Sequence, residues 1–399
     1  AAARDIAARD VAARDIAQNA AHAAPVFDPT GHALDAFHVA LAAAEAGKGQ
    51  VRLAFWGASH TAADLWTGHM RRQLQARTAD AGHGYMMPVR WHGGLRHQDI
   101  NMSSGGPWEV HRHRQLNPVP IGDYGFGGVA VASANKDAWI RVSTCVDNVC
   151  GRSADRLELW LRKGPRAGAV NVTIDGKVQR LSARAKKESV GFFAIDMVDG
   201  AHEVEIRPAG DGEVWLYGIV FERRGSGAIV DQVGIPGMRG EIWLHWRHDR
   251  HDAMVRHRDP HLIVLAYGTN AVGDDAPPID EQRASWRRVL LRVRAAAPRA
   301  SCLLVGPTDR PTKADADGVR SHRPRQDEVI AMQRSVAAEV GCGHWDAVAA
   351  MGGVGSMARW VAGDLARGDW VHLNAEGYVL LAERLLDAIV PNYRAPSAK

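Results

Sequence analysis

The stretch Val51-Arg-Leu-Ala-Phe-Trp-Gly-Ala-Ser-His-Thr-Ala-Ala-Asp64 reads as a buried strand, a tight turn and the start of a helix. Its apolar run from Val51 to Trp56 ends at Gly57, and Leu65, Met70 and Leu74 then recur at helical spacing over 61–78. In a strand–turn–helix unit of a parallel sheet, the turn lies at the carboxyl end of the strand, where open α/β sheets carry their ligands. Ser59 sits in that turn, ahead of the positive end of a helix. Taken alone, Ser59 or Thr61 is a helix cap. The rest of the chain gives the serine a second reading.

Working outward, residues 34–47 form an amphipathic helix (Leu34, Phe37, Leu41) that leads into this strand. Beyond residue 78 the texture changes. Between residues 84 and 227 glycines are frequent and short strands are predicted at Ala138–Val142, Leu157–Leu161, Val170–Ile174, Gly191–Met197, Ala201–Ile206 and Glu213–Phe221. Asp175-Gly176 after Ile174 is a hairpin signal. Closely spaced strands without a long helix point to an antiparallel sandwich or jelly roll.

Alternation of strand and helix then resumes. Strands are predicted at Ala228–Val233, His261–Tyr267, Ser301–Val305 and His344–Val348, with helices at Glu241–Arg256, Asp280–Ala297, Gln326–Val340 and Glu376–Ile389. The expected architecture is a doubly wound α/β domain (34–83 and 228–399) interrupted by a β-sandwich domain (84–227). Residues 1–33 precede it as a tail or helix. They open with Ala-Ala-Arg-Asp-Ile/Val three times over, with Asp5/Arg9 and Asp10/Arg14 as i,i+4 pairs worth about 0.2–0.5 kcal/mol each. A period of five turns each apolar residue by roughly 140° around a helix, so Ile6, Val11 and Ile16 make no single buried stripe.

The formal net charge of +4 comes from 49 basic and 45 acidic residues interspersed along 399, which gives no footprint for nucleic acid. No apolar run reaches membrane-spanning length. The sequence opens at Ala1 without a charged-plus-apolar leader, and removal of a leader looks the same as its absence. Four cysteines, Cys145, Cys150, Cys302 and Cys342, are compatible with two disulfides and export, and equally with buried thiols. No CxxC or Cys/His zinc pattern is present. A monomer is the working expectation.

Three later features fall where loops follow strands. They are Asp231-Gln-Val-Gly-Ile-Pro-Gly-Met-Arg239, Tyr267-Gly-Thr-Asn-Ala271 and Asp369-Trp-Val-His372. Gly234 and Gly237 can serve simply as positive-φ residues, Asn270 as an Asx turn, and Asp369/His372 as a solvated pair. All of them, however, are placed at the same end of one sheet as Ser59. Together they supply a nucleophile, a base with an orienting carboxylate, and oxyanion donors. His372 Nε2 would face Ser59 while Asp369 holds Nδ1. The N–H of Ser59, the N–H of Gly237 and the side-chain amide of Asn270 would hold the oxyanion, each worth about 3–4 kcal/mol in the transition state.

Ser59, Gly237, Asn270 and His372, in that order, resemble the four blocks of the SGNH/GDSL hydrolase superfamily. The Asp-x-x-His block is followed by Leu373-Asn-x-x-Gly377-Tyr378. The resemblance spans 51–78 and 228–390, and implies a flavodoxin-like three-layer fold, an acyl-serine intermediate and neither metal nor cofactor. The inserted β-domain and Gly352-Gly353 resemble bacterial peptidoglycan O-acetylesterases of the Ape type, in which a carbohydrate-binding-like sandwich accompanies the catalytic domain. The chain departs from the family at Gly57-Ala58-Ser59, where Gly-Asp-Ser is usual. The expected function is removal of O-acetyl groups from a carbohydrate polymer by a periplasmic or secreted serine esterase. Two alternatives remain. One is a polysaccharide O-acetyltransferase using the same residues, and the other a non-catalytic glycan-binding protein with a degenerate site.

Other features read as structural. His245, His248 and His251 are expected on the surface of an Arg-rich helix, and Lys313–Gly318 as a flexible loop near the pocket. Trp108, Trp139, Trp160 and Trp215 are expected mostly in the β-domain core, with sugar stacking as the alternative. His60 is placed beside the nucleophile without a catalytic role.

Overall fold

The computed structural model describes Ile16 and residues 24–113, 121–146 and 153–393. A five-stranded parallel sheet runs in the order Gly227–Gly234, Gln50–Gly57, Leu262–Ala266, Ser301–Val305, Gly343–Trp345. Neighbouring registers such as Phe55 against Gln232 and Val264 are parallel throughout. Side chains alternate across the central strand. Val51, Leu53 and Phe55 enter one core with Phe37, Leu41, Met70, Leu74, Leu381 and Leu385, while Ala54 and Trp56 enter the other with Met254, Trp286, Leu290 and Met332. Helices therefore cover both faces, as a sheet buried on both sides requires.

Two antiparallel sheets make up the remainder. One has the order Ser189–Gly200, Ala154–Lys163, Val214–Glu222, Val129–Ser133, Glu109–Arg112, with Gly82–Met86 also paired to Val214–Glu222. The other runs Asn101–Gly105, Trp139–Ser143, Glu203–Pro208, Ala169–Ile174, Lys177–Ser182. Their facing side chains, among them Val131, Ile140, Leu159, Val172 and Ile206, form a third core. At the hairpin, Asp175 and Gly176 have φ of 48° and 81°, the doubly positive pair of a two-residue turn. The antiparallel part is tied to the parallel sheet through the buried carboxylate of Asp231. It accepts from the Tyr85 N–H at 2.8 Å and from Arg258 Nη2 at 2.7 Å.

Several local expectations are corrected. The helix expected over 61–78 is two helices, Ser59–Ala62 and Leu65–Arg77, separated by Asp64 in the left-handed region at φ 54°. The helix expected over Glu241–Arg256 is a 3₁₀ turn, Gly240–His245, then extended Trp246, then an α-helix His248–Arg258. Trp243 and Trp246 are both buried in the core at this break. The break also overturns the surface reading of the histidines. His248 is exposed, but His251 is fully buried among Trp56, Phe126, Trp243 and Trp246, and His245 stacks on His113 at 4.7 Å. Five strands were not named from the sequence, at Gly82–Met86, Asn101–Gly105, Glu109–Arg112, Val129–Ser133 and Lys177–Ser182, the last implied only by the Asp175-Gly176 hairpin signal. Gly, Ser or charged residues interrupt the pattern in all but the apolar Val129–Ser133.

Among the tryptophans, Trp160 is fully buried, while Trp108, Trp139 and Trp215 are half-buried. Trp215 is covered by His111 stacked at 4.0 Å and by Arg162 at 4.0 Å, and Arg141 lies 4.7 Å over Trp139, so these ring faces are occupied. Cys302 and Cys342 are joined in a disulfide with Cα atoms 4.8 Å apart, and Cys145 is also disulfide-bonded. Cys150 and all of the N-terminal repeat except Ile16 lie outside the described residues.

Burial pushes the imidazole of His251 down to about 4 and that of His344 to about 3. Between about pH 4 and the ordinary histidine value of 6.5, the unfolded chain then binds more protons than the folded one. Stability rises with pH across this window and is lost as pH falls, by roughly 1.4 kcal/mol per pH unit for each such histidine. The urea midpoint is expected to drop from pH 7 to pH 5. His251→Phe, which keeps a ring in the aromatic nest but cannot take a proton, is expected to shallow that drop.

Candidate active site

The first strand ends on a turn with no room for side chains. A Cβ at Gly57 would lie 2.1 Å from Thr61 Oγ1 and 3.1 Å from the Ala266 carbonyl, and one at Gly234 would lie 2.3 Å from Ala62 N. Gly234 is thus needed for close approach. Gly237, at φ +82°, is needed for its backbone conformation. Pro236 and Gly237 occupy the middle of a turn closed by Met238 N–H donating to Ile235 O at 3.2 Å, the residue pattern of a type II turn. The turn is docked on the first strand by Ile235 N–H, which donates to Gly57 O at 2.9 Å.

Ser59 opens the one-turn helix Ser59–Ala62 and is half-buried. Ala58, where a carboxylate was expected, contributes its backbone: its carbonyl accepts from the N–H groups of Thr61 and Ala62, both at 3.1 Å. The turn is held from below by a buried charge network. Asp64 Oδ2 accepts from Arg71 Nη2 at 2.6 Å and from Gln98 N–H at 2.9 Å, Asp64 Oδ1 from Thr67 Oγ1 at 2.6 Å, and Arg71 also reaches Asp99 at 2.7 Å. Burial works to raise the Asp64 carboxyl, but Arg71 and these donors outweigh it and hold it below its ordinary value. Arg96 N–H donates to Ala62 O at 3.0 Å and Gln98 Nε2 to Ala63 O at 2.8 Å, so residues 96–99 are strapped to the turn.

His372 Nε2 lies 2.9 Å from Ser59 Oγ, and His372 Nδ1 lies 2.8 Å from Asp369 Oδ2. The other oxygen of Asp369 accepts from the N–H groups of Val371 and His372, each at 2.9 Å, across a loop in which Trp370 takes φ +61°. Partial burial raises the Asp369 carboxyl, but these three donors prevail and keep it below its ordinary value, so it is ionised at neutral pH. Asn270 is half-buried and its Nδ2 donates to Met238 O at 2.9 Å, which joins the Gly237 turn to the Asn270 loop and leaves the second N–H of the amide for another acceptor.

Sequence reasoning gave His60 no role and did not single out Thr308. His60 is buried, its ring centroid 5.4 Å from that of His372. Its Nδ1 is 2.9 Å from the Tyr378 hydroxyl and its Nε2 3.4 Å from Thr308 Oγ1, which in turn is 3.3 Å from Thr269 Oγ1. Burial, reinforced by the neighbouring His372, pushes His60 down to about 3. It therefore adds no positive charge next to His372. A histidine directly after the serine, with Tyr378 following Gly377 in the last block, was the available signal.

With this geometry in view, residues 207–380 match the model of the GDSL-like Lipase/Acylhydrolase family. That span holds Gly237, Asn270, Asp369 and His372, and Ser59 lies before it. The fold is similar to that of a peptidoglycan O-acetylesterase, at 25% identity and TM-score 0.75, over 91% of this chain and 97% of that one. The chain is similar to the GDSL hydrolases over the matched residues. It is a carboxylic ester hydrolase. More distant matches to this hydrolase include family two carbohydrate esterases from Cellvibrio japonicus (12% identity, 73% of this chain and 98% of that one, TM-score 0.28) and Clostridium thermocellum (14%, 65% and 94%, 0.30). At those TM-scores they add no argument. No curated protein matches the chain. Among the described residues, no helix is long and apolar enough to cross a membrane.

Asp64→Asn is expected to destabilise the hydrolase by about 3 kcal/mol, the low end for removing one member of a buried pair, because Arg71 keeps Asp99. Urea denaturation checks this. A shift under about 0.5 kcal/mol would mean that the turn is held otherwise.

Proposed function

We propose that the chain is a serine esterase that removes O-acetyl groups from a carbohydrate polymer, peptidoglycan or another polysaccharide. The observation that carries this reading is the continuous hydrogen-bonded relay from Asp369 through His372 to Ser59. Ser59 Oγ attacks the ester carbonyl while His372 Nε2 takes its proton. The anionic Asp369 fixes the tautomer and stabilises the imidazolium. The developing oxyanion is met by the N–H of Ser59, the N–H of Gly237 and the free N–H of the Asn270 amide. Collapse of the tetrahedral adduct expels the sugar oxygen, which receives the proton from His372. Water, activated by the same imidazole, then releases acetate from the acyl-serine. No metal or cofactor enters these steps.

The parallel sheet places its strands in the chain order second, first, third, fourth, fifth, with Ser59 and Asn270 after the two strands that flank the reversal. That order supports a flavodoxin-like three-layer hydrolase domain built from 34–83 and 228–399, with the ligand at the switch point. The two antiparallel sheets support a carbohydrate-binding-like domain over 84–227. The O-acetylesterase with the similar fold favours acetyl as the acyl group, and the Cys302–Cys342 disulfide favours the periplasm or the exterior.

Ser59→Ala is expected to lower hydrolysis of p-nitrophenyl acetate by about 10³-fold or more and to abolish labelling by a fluorophosphonate. Asn270→Ala is expected to cost about 10²–10³-fold in kcat while labelling of Ser59 persists. Full activity in Ser59→Ala would defeat the assignment.

A further inference from the structure

Residues 306–323, between the strand Ser301–Val305 and the helix Pro324–Glu339, contain neither helix nor strand. Loops of that length in a compact domain usually carry function. This one packs against the candidate site. Thr308 reaches His60, and the Arg320 guanidinium lies 4.8 Å over the ring of Trp370, between Asp369 and His372 in the chain. Arg310 is half-buried, and its Nη1 donates to the carbonyl of Thr269, the residue before Asn270. The positive charges of Arg310 and Arg367 both act on His60, and the Arg367 N–H donates to the His372 carbonyl at 2.8 Å.

The carboxylates around Arg310 are engaged elsewhere. Asp274 pairs with Arg323, and Asp275 with Arg239 at 3.0 Å. Asp309 is buried, accepting from Met357 N–H at 2.8 Å and Gln326 Nε2 at 3.2 Å. Asp315 accepts from the N–H groups of Asp317 and Val319 within its own loop. Among the described residues, none of Arg310, Arg320 and Arg367 forms an ion pair. The Nε and Nη2 donors of Arg310 have no partner there and are not sealed from solvent. Asp274 and Asp275 are near enough to act on the Arg310 charge, but they are bonded to Arg323 and Arg239, so this half-buried guanidinium has no direct ion pair and can take an anionic ligand. Its planar fork matches a carboxylate in two parallel hydrogen bonds.

We infer that Arg310, with Arg320 and Arg367 at the rim, forms a carboxylate-binding subsite beside the acyl-transfer centre, so that the preferred substrate is an O-acylated acidic glycan. The carboxylate belongs to the ester substrate, on its sugar side or its acyl side. This subsite rests on the esterase reading for its role, but its ligand chemistry can be tested without turnover.

The test uses the full chain, with Arg310→Gln and Arg310→Lys. Binding of trigalacturonate and of neutral xylotriose is measured by calorimetry at low and high salt. Hydrolysis of mono-p-nitrophenyl succinate is compared with that of p-nitrophenyl acetate. The subsite predicts one of two preferences in the wild type, trigalacturonate over xylotriose (sugar side) or succinate over acetate (acyl side). That preference should fall about tenfold in Arg310→Gln, be only partly kept in Arg310→Lys, which preserves the charge but not the fork, and weaken with salt. Two results overturn it: neither preference in the wild type, or a preference unchanged in Arg310→Gln. If Arg310→Gln misfolds, the salt dependence and Arg310→Lys still decide. An unreactive Ser59 would defeat the esterase reading separately, and the binding arm would still report on the subsite.

Discussion

The architecture depends on how closely three strand ends approach a single turn of helix. Gly57 and Gly234 press bare backbone against Thr61 and Ala62, and a methyl group at either would lie within 2.5 Å of its neighbour. That contact sets where Ser59 sits relative to the sheet. Because Gly57 O also accepts from Ile235 N–H, the turn containing Gly237 is indexed to the same point. Gly377 plays the equivalent part for the last block, where a Cβ would lie 2.0 Å from the Leu365 carbonyl. The neighbouring Leu365–Asn374 segment carries the Asp369–His372 loop, closed by Asn374 N–H on Leu365 O at 2.9 Å. Small residues at fixed places thus convert sequence-distant loops into one arrangement.

This explains which parts were legible in the sequence. Strands buried on both faces announce themselves as apolar runs, so the parallel sheet could be read strand by strand. Ser59, Gly237 and Asn270 stood out because polar or flexible residues just after such runs have a fixed location, the carboxyl edge of the sheet, whereas Asp369 and His372 follow the helix Ser356–Ala362 and stood out as an Asp-x-x-His pair ahead of the last helix. The helix breaks did not show. Nothing in a 3.6-residue pattern marks Asp64 as left-handed, since its conformation is fixed by Arg71, Thr67 and Gln98. His251 looked like a surface residue because its neighbours are arginines and aspartates. Its burial follows from the 3₁₀ turn that brings Trp243 and Trp246 around it. Glycine- and serine-rich strands such as Asn101–Gly105 escaped because their partners, not their own composition, keep them extended.

The electrostatics of the site follow from what is buried and what is rimmed. Two imidazoles stand 5.4 Å apart, but burial keeps His60 neutral, so a positive charge on His372 is opposed by no like charge at that distance and is matched by Asp369. Farther out, cations gather on the 306–323 loop and at Arg367. A neutral inner shell inside a cationic rim favours an acid-bearing ligand without disturbing the proton relay.

The strap formed by residues 96–99 joins the two parts of the fold at the site itself. Those residues belong to the antiparallel part in chain order, yet they clasp the turn that carries Ser59 through Arg96, Gln98 and Asp99. The intervening segment is therefore a structural member of the hydrolytic half and not cargo hung from it. Excising 84–227 and splicing the flanks would remove the Arg96, Gln98 and Asp99 contacts that steady the turn bearing Ser59.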